Sequence, residues 1–112
     1  MTPAKRRSPA ERSASVFGAL GDPTRLRLVS SLSERGPQSI TNLTEGTRLT
    51  RQGITKHLRV LSGAGIVHGS RRGRESRWEL ERDGLDVARR YLDLVSRRWD
   101  EALERLRNFV ED

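Results

Sequence analysis

The sequence predicts a mainly α-helical domain that carries a small β-hairpin wing and ends in one long helix. Three observations predict it. Over most of the chain the apolar residues recur at steps of three and four, the spacing of helices with one buried face. Two short runs, Ile66-Val67-His68 and Arg77-Trp78-Glu79-Leu80, flank a stretch rich in glycine and arginine, which reads as a hairpin. Finally, Leu85, Ala88, Leu92, Val95, Trp99, Ala102, Leu106 and Phe109 follow an unbroken alternation of three- and four-residue steps, a heptad-like seam. A length of 112 residues leaves room for one small domain.

Taken in order, residues 1–10 are polar and basic and read as a disordered tail. Glu11 to Leu20 carries Ala14, Val16, Phe17 and Leu20 on one side and meets Gly21, a short amphipathic helix with a glycine stop. Asp22-Pro23 supplies a cap followed by proline in the first turn. The helix it opens runs to about Arg35, with Leu26, Leu28, Val29 and Leu32 inward and Gly36 as its end. Pro37 to Ile40 has room for a single bridge of strand. Thr41 caps a brief helix through Glu45 that Gly46 stops, and Thr50 caps a longer one, 50–62, that Gly63 and Gly65 break. Short helix, tight turn, longer helix is the helix-turn-helix pattern. With the hairpin it makes a winged helix-turn-helix over residues 11–82, and residues 83–112 form the C-terminal dimerisation helix.

That last helix, of roughly 25 residues, is longer than a domain of this size can cover with its own core. It is expected to pack on the same helix, or on the first helix, of a second copy. The contact residues expected there are Phe17, Leu92, Val95, Trp99, Leu103 and Leu106. Along its flanks Asp86/Arg90, Asp93/Arg97 and Glu101/Arg105 stand four residues apart and can pair. A hydrophobic content of 33% with 4% aromatics limits the core and agrees with self-association.

The net charge of +7 suggests a polyanionic partner, and its location sharpens the point. Between Thr47 and Arg82, Arg48, Arg51, Lys56, Arg59, Arg71, Arg72, Arg74, Arg77 and Arg82 meet only Glu75, Glu79 and Glu81, whereas the last helix is close to neutral. Arg51, Gln52, Thr55, Lys56 and Arg59 share one face of the helix over 50–62, opposite Ile54, Leu58 and Leu61. Guanidinium, amide, hydroxyl and ammonium groups on one face suit the edges of bases and the phosphates of a major groove. Arg71, Arg72 and Arg74 sit in the wing, 69–77, within reach of flanking phosphates or the minor groove. Double-stranded DNA is therefore the expected partner.

Other classes are excluded. Without cysteine there are no disulfides and no thiolate metal sites. His57 and His68 alone give too few ligands for zinc, so neither a metal nor a cofactor is expected. No carboxylate pair, nucleophile triad or glycine-rich phosphate loop lies near the basic surface, so the chain is not expected to be an enzyme. No apolar run reaches the ~18 residues of a membrane span, and no apolar segment follows the basic start. A cytoplasmic location is expected.

Phe17 to Val29 (FGALGDPTRLRLV), Thr55 to Leu61 (TKHLRVL), Ala64 to Val67 and Arg72 to Glu75 together resemble the ArsR/SmtB-type winged-helix repressors, over about 90 residues in the family's order. The resemblance implies a homodimer that binds operator DNA through paired recognition helices and wings. Many members sense metals through a cysteine-containing motif on the first helix of the helix-turn-helix; here that place reads Ser39-Ile40-Thr41-Asn42-Leu43-Thr44, and the last helix has no histidine. The chain is thus similar to members without a metal-sensing cysteine motif. Any effector, small molecule or protein, is unspecified. The function expected is a dimeric, sequence-specific repressor on an inverted-repeat operator. The alternative is a non-specific architectural or RNA-associated winged-helix protein.

Overall fold

A computed structural model describes residues 7–111. Helix α1 (Pro9–Leu20) starts earlier than expected because Ser8 is its cap. The Glu11 N–H donates to Ser8 Oγ at 3.2 Å and the Ser8 N–H donates to Glu11 Oε2 at 3.3 Å, a reciprocal box that satisfies two end donors. Of the tail expected over 1–10, residues 1–6 lie outside the described residues, and Pro9 and Ala10 belong to α1. Helix α2 (Pro23–Arg35) is capped by Asp22, whose Oδ2 accepts from the Arg25 N–H at 3.0 Å, and ends at Gly36 with φ 79°. Leu28 and Leu32 are buried, but Leu26, expected inward, is half exposed.

Strand β1 (Gln38–Ser39) is the short bridge expected. Helix α3 (Ile40–Thr44) is capped by Ser39 rather than Thr41, with Ser39 Oγ accepting from the Asn42 N–H at 3.2 Å. Helix α4 (Arg51–Gly63) begins at Thr50, whose Oγ1 accepts from the Gly53 N–H at 3.0 Å. Strands β2 (Val67–Arg72) and β3 (Glu75–Leu80) are longer than their apolar segments. Only Gly73 and Arg74 separate them, with Arg72 facing Glu75 and Gly73 at φ 61°. A tight two-residue turn with glycine first suits the twist of a hairpin. Arg71 and Arg72, expected in a loop, therefore stand on a strand, and only Arg74 is in the turn. The ladder extends into polar sequence because that turn closes the hairpin and keeps its strands paired; apolar runs alone do not mark its ends.

The sheet has the order β1-β3-β2, all antiparallel. Gln38 pairs with Trp78 and is buried, its amide nitrogen donating at 3.0 Å to both the carbonyl and the hydroxyl of Ser31. That satisfaction makes a polar core position tolerable. Val16, Leu28, Leu43, Ile54, Leu58, Leu61, Ile66 and Val67 form the core, so the inner face of α4 lies at its centre. Trp78 packs partly buried against this core.

Helix α5 (Arg82–Glu111) has 30 residues. Its seam is divided: Leu85 and Ala88, with Val87 beside them, pack on the domain's own core, whereas Leu92, Val95, Trp99, Leu106 and Phe109 are exposed. The first helical turns are needed to cover α1 and the end of α4, which leaves only the rest for another surface. Among the described residues the carboxylates within 4 Å of a basic nitrogen are Asp22, beside His57, and Glu79, beside His68; the four-residue pairs expected along α5 stay open, as solvated side chains on an exposed helix gain little by closing.

Candidate nucleic-acid interface

Helix α4 is held by three apolar residues of one face and presents the opposite one. Ile54, Leu58 and Leu61 have no exposed surface, while Arg51, Gln52, Lys56 and Arg59 are exposed and Thr55 is half-buried. Their separation follows from the helical period, since the buried set steps by four and three residues. Thr55 Oγ1 donates to the Arg51 carbonyl at 2.8 Å, which orients the hydroxyl along the helix.

A groove of about 470 Å³ runs between α4, the start of α3 and the outer part of β3. Arg51, Gln52, Thr55 and Arg59 form one wall, Arg74, Glu75, Ser76 and Trp78 another, and Ser39, Ile40 and Thr41 the end. Five of the eight residues expected to touch DNA thus face one trough. Lys56, Arg71 and Arg72 are exposed but lie outside this lining. Three guanidinium groups against one carboxylate, Glu75, make the trough an anionic-ligand site by charge. Ser39, Thr41 and Ser76 were not expected at a DNA surface: isolated hydroxyl residues carry no periodic signal, and only the antiparallel pairing of β1 with β3 brings Ser39 beside Arg77.

The wing is stiffened at its base. His68 and Glu79 face each other across the ladder, and His68 Nε2 donates to Glu79 Oε1 at 2.6 Å. On the next pair, Trp78 lies across Gly69, where a Cβ would meet the indole ring at 3.4 Å. At Gly53 likewise a Cβ would lie 3.4 Å from its nearest neighbour, Thr50 Oγ1, an ordinary contact.

Behind the reading face, His57 turns away from the groove. Arg25 Nη1 donates to its Nδ1 at 3.3 Å, and Asp22 Oδ2 lies 3.8 Å from the same nitrogen. The bond from the Arg25 backbone N–H holds the Asp22 carboxyl below the ordinary carboxylate range, helped by the positive charge of the Arg25 guanidinium and opposed by partial desolvation. His57 thus makes a polar contact to α2. Among the described residues no group of three or more His, Asp or Glu is placed to hold a metal ion, and no helix is long and apolar enough to cross a membrane.

Residues 20–69 match the family described as a helix-turn-helix domain. An ArsR-like transcriptional regulator from Rhodococcus sp. RHA1 is 33% identical, with a TM-score of 0.75 over 88% of this chain and 92% of that one. The uncharacterized HTH-type transcriptional regulator YuzN of Bacillus subtilis is 42% identical over 65 residues, which are 53% of this chain and 71% of that protein. A homodimeric winged helix-turn-helix DNA-binding domain from Mycobacterium bovis is 27% identical, with a TM-score of 0.62 over 94% of this chain and 95% of that one.

Proposed function

The chain belongs to the ArsR family of winged-helix transcriptional regulators, and from that premise we propose that it acts as a homodimeric repressor reading an inverted-repeat operator. The observation that carries this reading is the trough in which α4 and the wing turn converge, Arg51, Gln52, Thr55 and Arg59 on one side and Arg74 on the other. Gln52 and Arg51 carry the amide and guanidinium groups that suit adenine and guanine edges, while Lys56, Arg71 and Arg72, outside the trough, suit flanking phosphates. Repression follows from occupancy, because a dimer seated on two half-sites about one helical turn apart covers the promoter.

Helix α5 supports the second copy. Leu92, Val95, Trp99, Leu103 and Leu106 are all exposed, Trp99 at 65%, more apolar surface than a monomer ordinarily shows water. Phe17, the sixth residue of the expected contact, meets Tyr91 of its own chain edge-on at 5.5 Å between ring centres, at the border of that surface. The charge of α5 is also polar along its length. Arg82, Arg89, Arg90, Arg97 and Arg98 outnumber acids in the first part, and Asp100, Glu101, Glu104 and Glu111 outnumber Arg105 and Arg107 in the second. Antiparallel packing of two such helices sets opposite charges side by side. The homodimer described for the Mycobacterium bovis domain is consistent with this reading.

The test is footprinting and a polarisation assay on the DNA upstream of the protein's own gene. A protected inverted repeat, bound far more tightly than scrambled duplex and weakening steeply with salt, is the expected result. Equal affinity for all sequences, unchanged by Gln52→Ala, would replace this reading with non-specific architectural binding. A transcription assay in which added protein fails to lower output from that promoter would remove the repressor role.

A further inference from the structure

Arg25 does more than help to start a helix. Its guanidinium turns back to the end of α1, where Nε donates to the Ala19 carbonyl and Nη2 to the Gly18 carbonyl at 3.5 Å. These carbonyls belong to the last turn of α1, where a cation is favoured. Nη1 is left to reach across to His57 Nδ1 on α4, at 3.3 Å. One side chain thus joins the helix that packs on α5, the helix that carries it and the helix that faces the trough. A guanidinium has no acceptor, so this bond requires the Nδ1 lone pair and with it a ring proton on Nε2. Asp22 Oδ2, at 3.8 Å from Nδ1, lies beyond hydrogen-bond reach but beside the guanidinium charge.

We propose that Arg25 and His57 form a positioning brace that sets the seat of α4 against α1, and so sets operator affinity without touching DNA. The inference rests on the DNA-binding reading above. Apolar contacts at Ile54, Leu58 and Leu61 hold α4 to the core but are not directional, and a helix can slide or roll on them by a fraction of an ångström. A hydrogen bond from a fixed planar donor to a ring nitrogen of α4 is directional. Small displacements matter because base-reading side chains must arrive together within about half an ångström.

The test has two parts, both on the full chain. Long-range 15N–1H spectra of the free protein should show His57 as the Nε2–H tautomer, with its Nδ1 resonance moving in Arg25→Lys. An Nδ1–H tautomer, which leaves Arg25 no lone pair to bond, overturns the brace whatever the protein does with DNA. Polarisation binding to duplex from the protein's own upstream region then compares variants whose melting curves show them folded. His57→Leu and Arg25→Lys should weaken binding about five- to thirtyfold. His57→Asn, whose Oδ1 can stand in for Nδ1, should recover to within about threefold of wild type. If His57→Leu does not fold, Arg25→Lys carries the comparison. Wild-type affinity in the folded members of the pair overturns the brace alone, and so does failure of His57→Asn to recover. A wild-type protein that binds no duplex overturns the DNA reading and the brace's role with it.

Discussion

Gly84, in the first turn of α5, lies against the end of α4 with its N–H donating to the Gly65 carbonyl at 2.8 Å. A Cβ there would come within 2.5 Å of that oxygen and 2.8 Å of the Ala64 carbonyl, and neither belongs to a flexible side chain. Gly84→Ala should therefore destabilise the fold by about 1–3 kcal/mol, read as a lower urea midpoint. Gly18, also helical, has open space where its Cβ would be, so Gly18→Ala should stabilise by about 0.5–1 kcal/mol. The two are alike in sequence, each a glycine among helix formers; only the approach of another backbone separates them. Asp22 adds a pH effect. Its carboxyl is depressed chiefly by the Arg25 N–H bond, so the ionised form is favoured in the fold. Its stabilisation is complete above the ordinary carboxylate range and is lost as pH falls through the lowered folded value. Asp22→Asn keeps a cap but should flatten that acid limb, which urea melts on the acid side of about pH 5 can measure.

At the scale of elements, α4 was legible because two signals agreed: Thr50 at its start and a buried face repeating through Ile54, Leu58 and Leu61. Leu58→Ala should cost about 2–5 kcal/mol and lower DNA affinity only through the unfolded fraction. Gln52→Ala should instead leave melting unchanged and remove about 1–3 kcal/mol of preference for operator over scrambled duplex. Binding measured on both duplexes separates them. The wing was legible in place but not in length. Its strands run through Ser70, Arg71 and Arg72 to the turn at Gly73, and exposed basic residues give no alternation that a sequence reading could follow. The caps at Ser8 and Ser39 were missed because serine is common in turns as well as at caps, and only backbone position distinguishes the two uses.

At the scale of the whole molecule, α5 dominates the shape. The Cα radius of gyration is 18.6 Å, against about 13 Å for a compact domain of this length. A helix of this length spans about 45 Å, and its distal part exposes Leu106 at 58% and Phe109 at 81%. Trp99→Glu with Leu106→Glu should convert the proposed dimer to monomer in sedimentation and weaken operator binding by far more than either half-site contact alone, since the second half-site is lost. Unchanged mass for the double variant would place the dimer contact elsewhere.

By itself, the sequence determined the order and kind of the helices, the buried and presented faces of α4, the basic stretch around it and the excess apolar surface of α5. Each is a matter of local period, capping or charge, which neighbouring residues along the chain fix among themselves. The tertiary structure alone decided which arginine of the wing turns into the trough, how much of α5 serves the chain's own core, and that Arg25 reaches His57 across 32 positions. Those depend on strand register and helix packing, in which residues far apart in the chain meet at distances that no local pattern encodes.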